Sequence, residues 1–243
     1  MRFSYFCILV GLPAKIKTHP MSVKENLKDI RTKIPSNVRL VAVSKTMPVA
    51  ALQEAYDAGQ LHFGENKVQE ITYKQEVLPS DIEWHFIGHL QTNKVKYIIP
   101  FVTLIESVDS LKLLREIHKQ GKKINRKINC LLQFHIAEEE TKFGLDLDEA
   151  NELLDAIDKE HLDFVSICGV MGMATYTDDS EQIRKEFRHL KETFQWLKEN
   201  FFKQQAEFKE ISMGMSGDYL LAIEEGSTNV RIGSSIFGVR TYV

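Results

Sequence analysis

The sequence predicts an α/β fold: a single (β/α)8 TIM barrel with an extra N-terminal helix. Three observations carry that reading. From residue 22 onward, eight apolar runs of strand length alternate strictly with longer segments of helical period. No linker, internal repeat or low-complexity tract divides the chain, and 243 residues suit one barrel. The competing open, doubly wound sheet usually carries a glycine-rich phosphate loop after its first strand, whereas Val43-Ser44-Lys45-Thr46-Met47-Pro48 has no glycine.

Residues 1–20 stand apart. Arg2 followed by Phe3 to Leu12 has the form of a charged and then apolar leader, but Pro13-Ala14-Lys15 follows without a small-x-small cleavage site. Met21 opens a second plausible start, so 1–20 is read as an extension outside the fold and 21–243 as the barrel. The amphipathic stretch through Lys33 supplies the front helix. Strands are predicted at 39–44, 61–64, 83–87, 104–107, 127–134, 164–171, 208–213 and 229–233. The first, Leu40-Val41-Ala42-Val43, is apolar without interruption, as a strand buried on both faces should be. Helices are predicted near 48–58, 66–77, 91–98, 110–120, 148–159, 180–201 and 216–225. Asp109-Ser110 and Asp178-Asp179-Ser180 can cap free N–H groups at two entries, and Gly59 and Gly121 fall where helix C-caps belong. Phe187, Leu190, Phe194, Leu197 and Phe201 recur every three or four residues, the inner stripe of a long helix.

Composition narrows the function. With 31 basic against 34 acidic residues, a net charge of -3 predicts no nucleic-acid partner. No apolar stretch reaches the roughly 20 residues of a membrane span. Cys7, Cys130 and Cys168 are odd in number and form no C-x-x-C pair, which argues against a disulfide framework or structural zinc and for a reducing, cytoplasmic setting.

Lys45 ends the first strand at the rim of an apolar core. Burial disfavours an ammonium there and favours a nucleophilic amine able to form a Schiff base. At the other end of the chain, Ser212-Met213-Gly214-Met215-Ser216-Gly217-Asp218 follows strand seven, and Arg231-Ile232-Gly233-Ser234-Ser235-Ile236-Phe237-Gly238 covers strand eight and its loop. Barrels commonly bind phosphate after strands seven and eight, where glycine admits backbone N–H groups and serine adds hydroxyl donors. Barrel closure makes these loops neighbours of Lys45. A cofactor with an aldehyde at one end and a phosphate at the other fits, and pyridoxal 5′-phosphate is that molecule.

Five stretches carry a family resemblance: Val43-Ser44-Lys45-Thr46, Phe63-Gly64-Glu65-Asn66-Lys67-Val68-Gln69-Glu70, Trp84-His85-Phe86-Ile87-Gly88-His89-Leu90-Gln91-Thr92-Asn93-Lys94, Ile211-Ser212-Met213-Gly214-Met215-Ser216 and Val230-Arg231-Ile232-Gly233-Ser234-Ser235-Ile236-Phe237-Gly238. In this order, from about residue 22 to the C-terminus, they resemble the pyridoxal-phosphate homeostasis proteins, whose fold is that of the alanine racemase N-terminal barrel. The resemblance implies Lys45 as the Schiff-base lysine and Ser216 with the backbone of Gly233 and Ser234 as the phosphate site. It also implies Arg231 at the pyridine nitrogen and Asn66 near the cofactor rim.

His85 and His89 are spaced i, i+4, but at a strand end and in the loop after it, where that spacing does not converge on a metal. A loop histidine near the cofactor is the expectation instead. Glu138-Glu139-Glu140 reads as a solvated loop, and Lys142-Phe143-Gly144 resembles a recurrent family feature. Met171, Met173, Met213 and Met215 either line the pocket or pack the core. The racemase takes its second base from an additional domain that a chain ending at Val243 does not contain. Arg231 in place of a carboxylate leaves the ring nitrogen unprotonated and the carbanion poorly stabilised. The expectation is therefore a non-enzymatic carrier of pyridoxal 5′-phosphate in vitamin B6 and amino-acid homeostasis, with apo enzymes of that cofactor as candidate recipients. The alternative is a single-domain racemase or lyase with Tyr176 or His85 as second base.

Overall fold

A computed structural model of the protein describes residues 22–138 and 143–238. The readings of 1–20, of Met21, of Glu139-Glu140 and of Lys142 lie outside these residues. Eight parallel strands close into a barrel in sequence order. They are β1 Arg39–Val43, β2 His62–Glu65, β3 Glu83–Phe86, β4 Leu104–Val108, β5 Ile128–Gln133, β6 Val165–Met171, β7 Glu210–Ser212 and β8 Asn229–Ile232. The seam between first and last strand runs in register from Arg39 opposite Asn229 to Ala42 opposite Ile232.

The helices are α1 Val23–Lys33, α2 Val49–Asp57, α3 Val68–Val77, α4 Val95–Ile98, α5 Leu111–Lys123, α6 Leu147–Lys159, α7 Ser180–Asn200, α8 Tyr219–Glu224 and the single turn α9 Ser234–Phe237. A 3₁₀ turn, Thr92–Lys94, leads into α4. Ser22 and Glu25 cap α1 reciprocally, Ser22 Oγ accepting from Glu25 N–H at 3.3 Å and the Glu25 carboxylate from Ser22 N–H at 2.9 Å. Leu27 and Ile30 of α1 are buried in the main core, and Asn26 Nδ2 donates to the Ile236 carbonyl of α9 at 2.9 Å. The front helix is thus not surplus. It packs between α2 and α9, and takes the eighth place in the outer ring that a one-turn α9 leaves open.

The predicted caps form: Ser110 Oγ accepts from Leu113 N–H, and Asp179 Oδ1 from Glu181 and Gln182 N–H. Gly59 follows α2 at φ +81°. Gly121 is different. It lies inside α5, two residues before its end, where a Cβ would stand 2.6 Å from the Arg126 carbonyl oxygen. Close approach of the next loop, not a left-handed cap, requires glycine there. Phe201 also departs from expectation: α7 buries Ile183, Phe187, Leu190, Phe194 and Leu197, while Phe201 stands past its end, exposed and edge-on to Trp196.

Candidate functional site

The C-terminal ends of the strands surround a cavity of about 780 Å³. All six residues expected at a cofactor site line it. Lys45 follows β1, Asn66 follows β2, Ser216 lies in the loop after β7, Arg231 is in β8, and Gly233 and Ser234 follow β8. Lys45 is half-buried. It occupies the second position of a turn closed by Met47 N–H donating to the Ser44 carbonyl at 3.0 Å.

Asn66 is held against the β3 loop. A Cβ on Gly88 would lie 2.5 Å from the Asn66 carbonyl oxygen, so only glycine lets the two backbones meet. Asn66 Oδ1 is buried without a hydrogen-bond partner among the described residues. The β7 and β8 loops touch directly: Gly233 N–H donates to Ser216 Oγ at 3.2 Å. Ser216 spends a lone pair there and keeps its own hydroxyl proton to donate.

Arg231 is buried at the floor of the cavity. Its Nη1 donates to Ser212 Oγ at 2.6 Å and its Nη2 to the Gly172 carbonyl at 3.0 Å. Ser212 passes the polarity on, donating to Glu106 Oε2 at 2.5 Å, and that oxygen is 3.9 Å from Arg231 Nη1. Glu106 Oε1 meets His85 Nδ1 at 2.6 Å. Burial by itself would raise the Glu106 pKa. The hydrogen bond and charge of His85, the charge of Arg231 and the Ser212 hydroxyl outweigh it and hold the carboxyl below its ordinary value. Burial lowers the Arg231 pKa, against the opposing pull of Glu106 and Asp218. Asp218 also lines the cavity; burial raises its pKa, while its Oδ1 accepts from Met215 N–H.

The histidines separate. His89 is in the loop, lines the cavity, stacks on Phe143 and meets Asp109 at 2.9 Å. His85 stands in β3, as the strand-end reading had it, but is sealed on Glu106 and does not line the cavity. The methionines divide as well: Met171 and Met213 are core, Met173 and Met215 line the cavity. Cys130 and Cys168 are buried free thiols, and burial raises both pKa values. No helix among the described residues is long and apolar enough to cross a membrane, and no group of metal-ligating side chains is found there.

Sequence reasoning missed Glu106, and Lys74 behind Lys45; Ser212 and Asp218 it took only as part of the phosphate loop, whereas Ser212 lies in β7 between Arg231 and Glu106. A signal existed for the first: Glu106 interrupts the apolar run Leu104-Ile105-Glu106-Ser107-Val108, and a carboxylate in a strand buried on both faces needs a partner inside the barrel.

Comparison with known proteins agrees with this architecture. Residues 19–241 match the family model described as the alanine racemase N-terminal domain. The pyridoxal phosphate homeostasis protein of Aquifex aeolicus is 40% identical over 205 residues, 84% of this chain and 88% of that protein. Its counterpart from Haemophilus influenzae is 37% identical over 235 residues, 91% and 98% of the two chains. PipY of Synechococcus elongatus, solved without PLP, superposes with a TM-score of 0.81 at 35% identity, covering 89% of this chain and all of that one. The same protein with PLP bound gives 0.79 at 34%. Barrel, motif order and near full-length similarity agree, and the chain belongs to the family of the pyridoxal phosphate homeostasis proteins.

Proposed function

We propose that this chain binds pyridoxal 5′-phosphate at the C-terminal mouth of its barrel and serves as a non-catalytic carrier in vitamin B6 and amino-acid homeostasis. The observation that carries the reading is convergence. Residues picked from four separate stretches of sequence line one cavity, and one of them, Asn66, has its Oδ1 buried without a hydrogen-bond partner among the described residues. The cofactor supplies an aldehyde at one end and a phosphate dianion at the other. Lys45 would hold the aldehyde carbon covalently through its amine. Ser216, with its hydroxyl proton still to give, and the backbone of Gly233 and Ser234 would hold the phosphate. The unpartnered Asn66 oxygen offers an acceptor at the rim.

Arg231 supports a carrier over a catalyst. A guanidinium only donates, so toward a ring nitrogen it cannot leave the proton that strengthens an electron sink. Glu106 and Ser212 fix it in the donor role. Of the two side chains considered as a second base, His85 is occupied by Glu106 beneath the cavity, and Tyr176 stands 95% exposed at its edge. Release to apo enzymes of the same cofactor belongs to this reading.

The test is borohydride reduction of protein incubated with pyridoxal 5′-phosphate, followed by peptide mapping, with deuterium uptake at the α-carbon of L-alanine followed in parallel. The adduct is expected on Lys45, with exchange far below enzymatic turnover. An adduct on Lys67 or Lys94 would refute the site. Exchange at the order of 1–10³ s⁻¹ typical of enzymes would refute the carrier role.

A further inference from the structure

The turn that presents Lys45 has a conformation its sequence disfavours. Thr46, the third residue of the Ser44-Lys45-Thr46-Met47 turn, has φ +67°. Positive φ at that position defines a type II turn and normally calls for glycine; a β-branched side chain there is a genuine outlier. Such strain persists only where the surroundings over-determine it, and it collects at functional sites.

The surroundings are an ionic cluster from β2 and α3. Lys74 of α3, 3% exposed, donates from Nζ to the Ser44 carbonyl at 2.9 Å and to Glu65 Oε1 at 2.7 Å, and lies 3.4 Å from Glu70 Oε2. That Glu70 oxygen accepts from Thr46 N–H at 2.7 Å. Ser44 Oγ donates to Glu65 Oε1 at 2.6 Å. The peptide groups before and after Lys45 are therefore each tied to α3, and Lys74 joins the two ties. None of Ser44, Glu65, Glu70 or Lys74 lines the cavity, so a ligand feels them through Lys45.

Stability alone accounts poorly for this arrangement. Burying an ammonium with carboxylates is seldom better for stability than packed apolar side chains would be. Burial holds Glu65 above its ordinary pKa against the pull of Lys74, and its second oxygen has no hydrogen-bond partner among the described residues.

We propose that Lys74, with Glu70, is a positioning residue that keeps the Ser44–Thr46 turn in its strained form and thereby aims the Lys45 amine into the cavity. This rests on the reading that Lys45 captures the aldehyde. Capture joins Lys45 Nζ to the aldehyde carbon and releases the aldehyde oxygen as water, so it depends on where the amine stands. Pyridoxine 5′-phosphate carries an alcohol in place of the aldehyde and fills the same cavity without that bond.

The experiment compares both ligands on native protein and on Lys74→Met, Glu70→Ala and Glu70→Gln, by equilibrium titration and by the rate of borohydride-trapped adduct at Lys45. Lys74→Met and Glu70→Ala are expected to lose about ten- to a hundredfold in aldehyde capture, with pyridoxine 5′-phosphate affinity unchanged. Glu70→Gln keeps an oxygen for Thr46 N–H and should recover most of the loss. Should Lys74→Met fail to fold, the Glu70 pair carries the test. Equal losses for both ligands, no loss for either, or a Glu70→Gln protein as impaired as Glu70→Ala would overturn the proposal. Native protein that takes up neither ligand would instead remove the cofactor reading, and the proposal with it.

Discussion

Both ends of the barrel open a cavity of about 780 Å³, yet they differ in backbone strain. At the N-terminal end the polar groups serve the chain itself. Arg31 donates to the Ala58 carbonyl at 2.7 Å and to Gln60 at 3.1 Å, and Gln60 donates to the carbonyls of Leu40 and His62. Arg39 is shared between Glu210 and Asn229. The non-glycine residues with positive φ in the helix-to-strand turns at this end are Asn125 and His161, both at +51°, types that tolerate the left-handed region. At the C-terminal mouth the outlier is a threonine, and Asn66 Oδ1 lies buried without a hydrogen-bond partner among the described residues. Cavity size does not separate the two ends. The strained threonine does, for each end holds a buried polar atom without a hydrogen-bond partner among the described residues, His62 Nδ1 at one and Asn66 Oδ1 at the other.

The contrast can be broken most severely between the two ends, at Glu106. Glu106→Ala leaves the Arg231 cation buried without its counter-charge and His85 and Ser212 without their shared partner, and should cost about 3–5 kcal/mol of stability in urea denaturation. A loss no larger than that of an exposed ion pair would mean that the interior network does not hold the mouth in place.

A smaller change sharpens the contrast at the ligand. Ser216→Ala removes a donor to a charged phosphate, a bond worth about 1.5–3 kcal/mol, so affinity for pyridoxal 5′-phosphate should fall roughly ten- to a hundredfold. An unaltered dissociation constant in a fluorescence titration would place the phosphate elsewhere.

The gentlest perturbation is pH, and it reads the N-terminal end. Burial, then the charge of His85 5.6 Å away, lowers the His62 pKa from 6.5 to about 4. Between those values the unfolded chain binds a proton that the folded chain refuses. Stability should therefore fall as pH drops through that window, by at most about 1.4 kcal/mol per pH unit for this one group. His62→Asn should flatten that part of the profile, measured as urea midpoints at pH 7, 6 and 5. An unchanged slope would assign the acid sensitivity to other groups.

Legibility in the sequence followed the range of the interaction. Strand–helix alternation and the Ser110 and Asp179 caps are local patterns, and they sufficed for the barrel. The six cavity residues lie at or just beyond strand ends, where the barrel architecture itself brings them together. Lys74 was invisible for the opposite reason. Four residues after Glu70 on a helix, it reads as an ordinary surface pair, and only the pairing of β1 with β2 reveals that the Ser44 carbonyl lies against it. His85 lies in its strand as expected, but its burial was not legible, because a strand-end histidine facing the cavity and a buried one look alike until Glu106 is found on the neighbouring strand. Gly121 was misread because glycine serves left-handed caps and close contacts equally well, and its own neighbours cannot say which.

The seam that closes the barrel has a consequence for how the protein is made. Arg39 and Asn229 meet across 190 positions, and Asn26 and Ile236 across 210. Contacts so distant in sequence form late, and a ribosome delivers α1 and β1 long before their partners exist. Lys45 and Arg231 stand on opposite sides of that seam. A nascent or truncated chain lacking β8 has no complete cavity to offer. A small molecule gripped from both sides acts as a clasp on the last joint to form, adding about 2.7 kcal/mol at a hundred times its dissociation constant. The vitamin-derived ligand would thus inspect as well as occupy the barrel, staying only on copies whose final strand has docked.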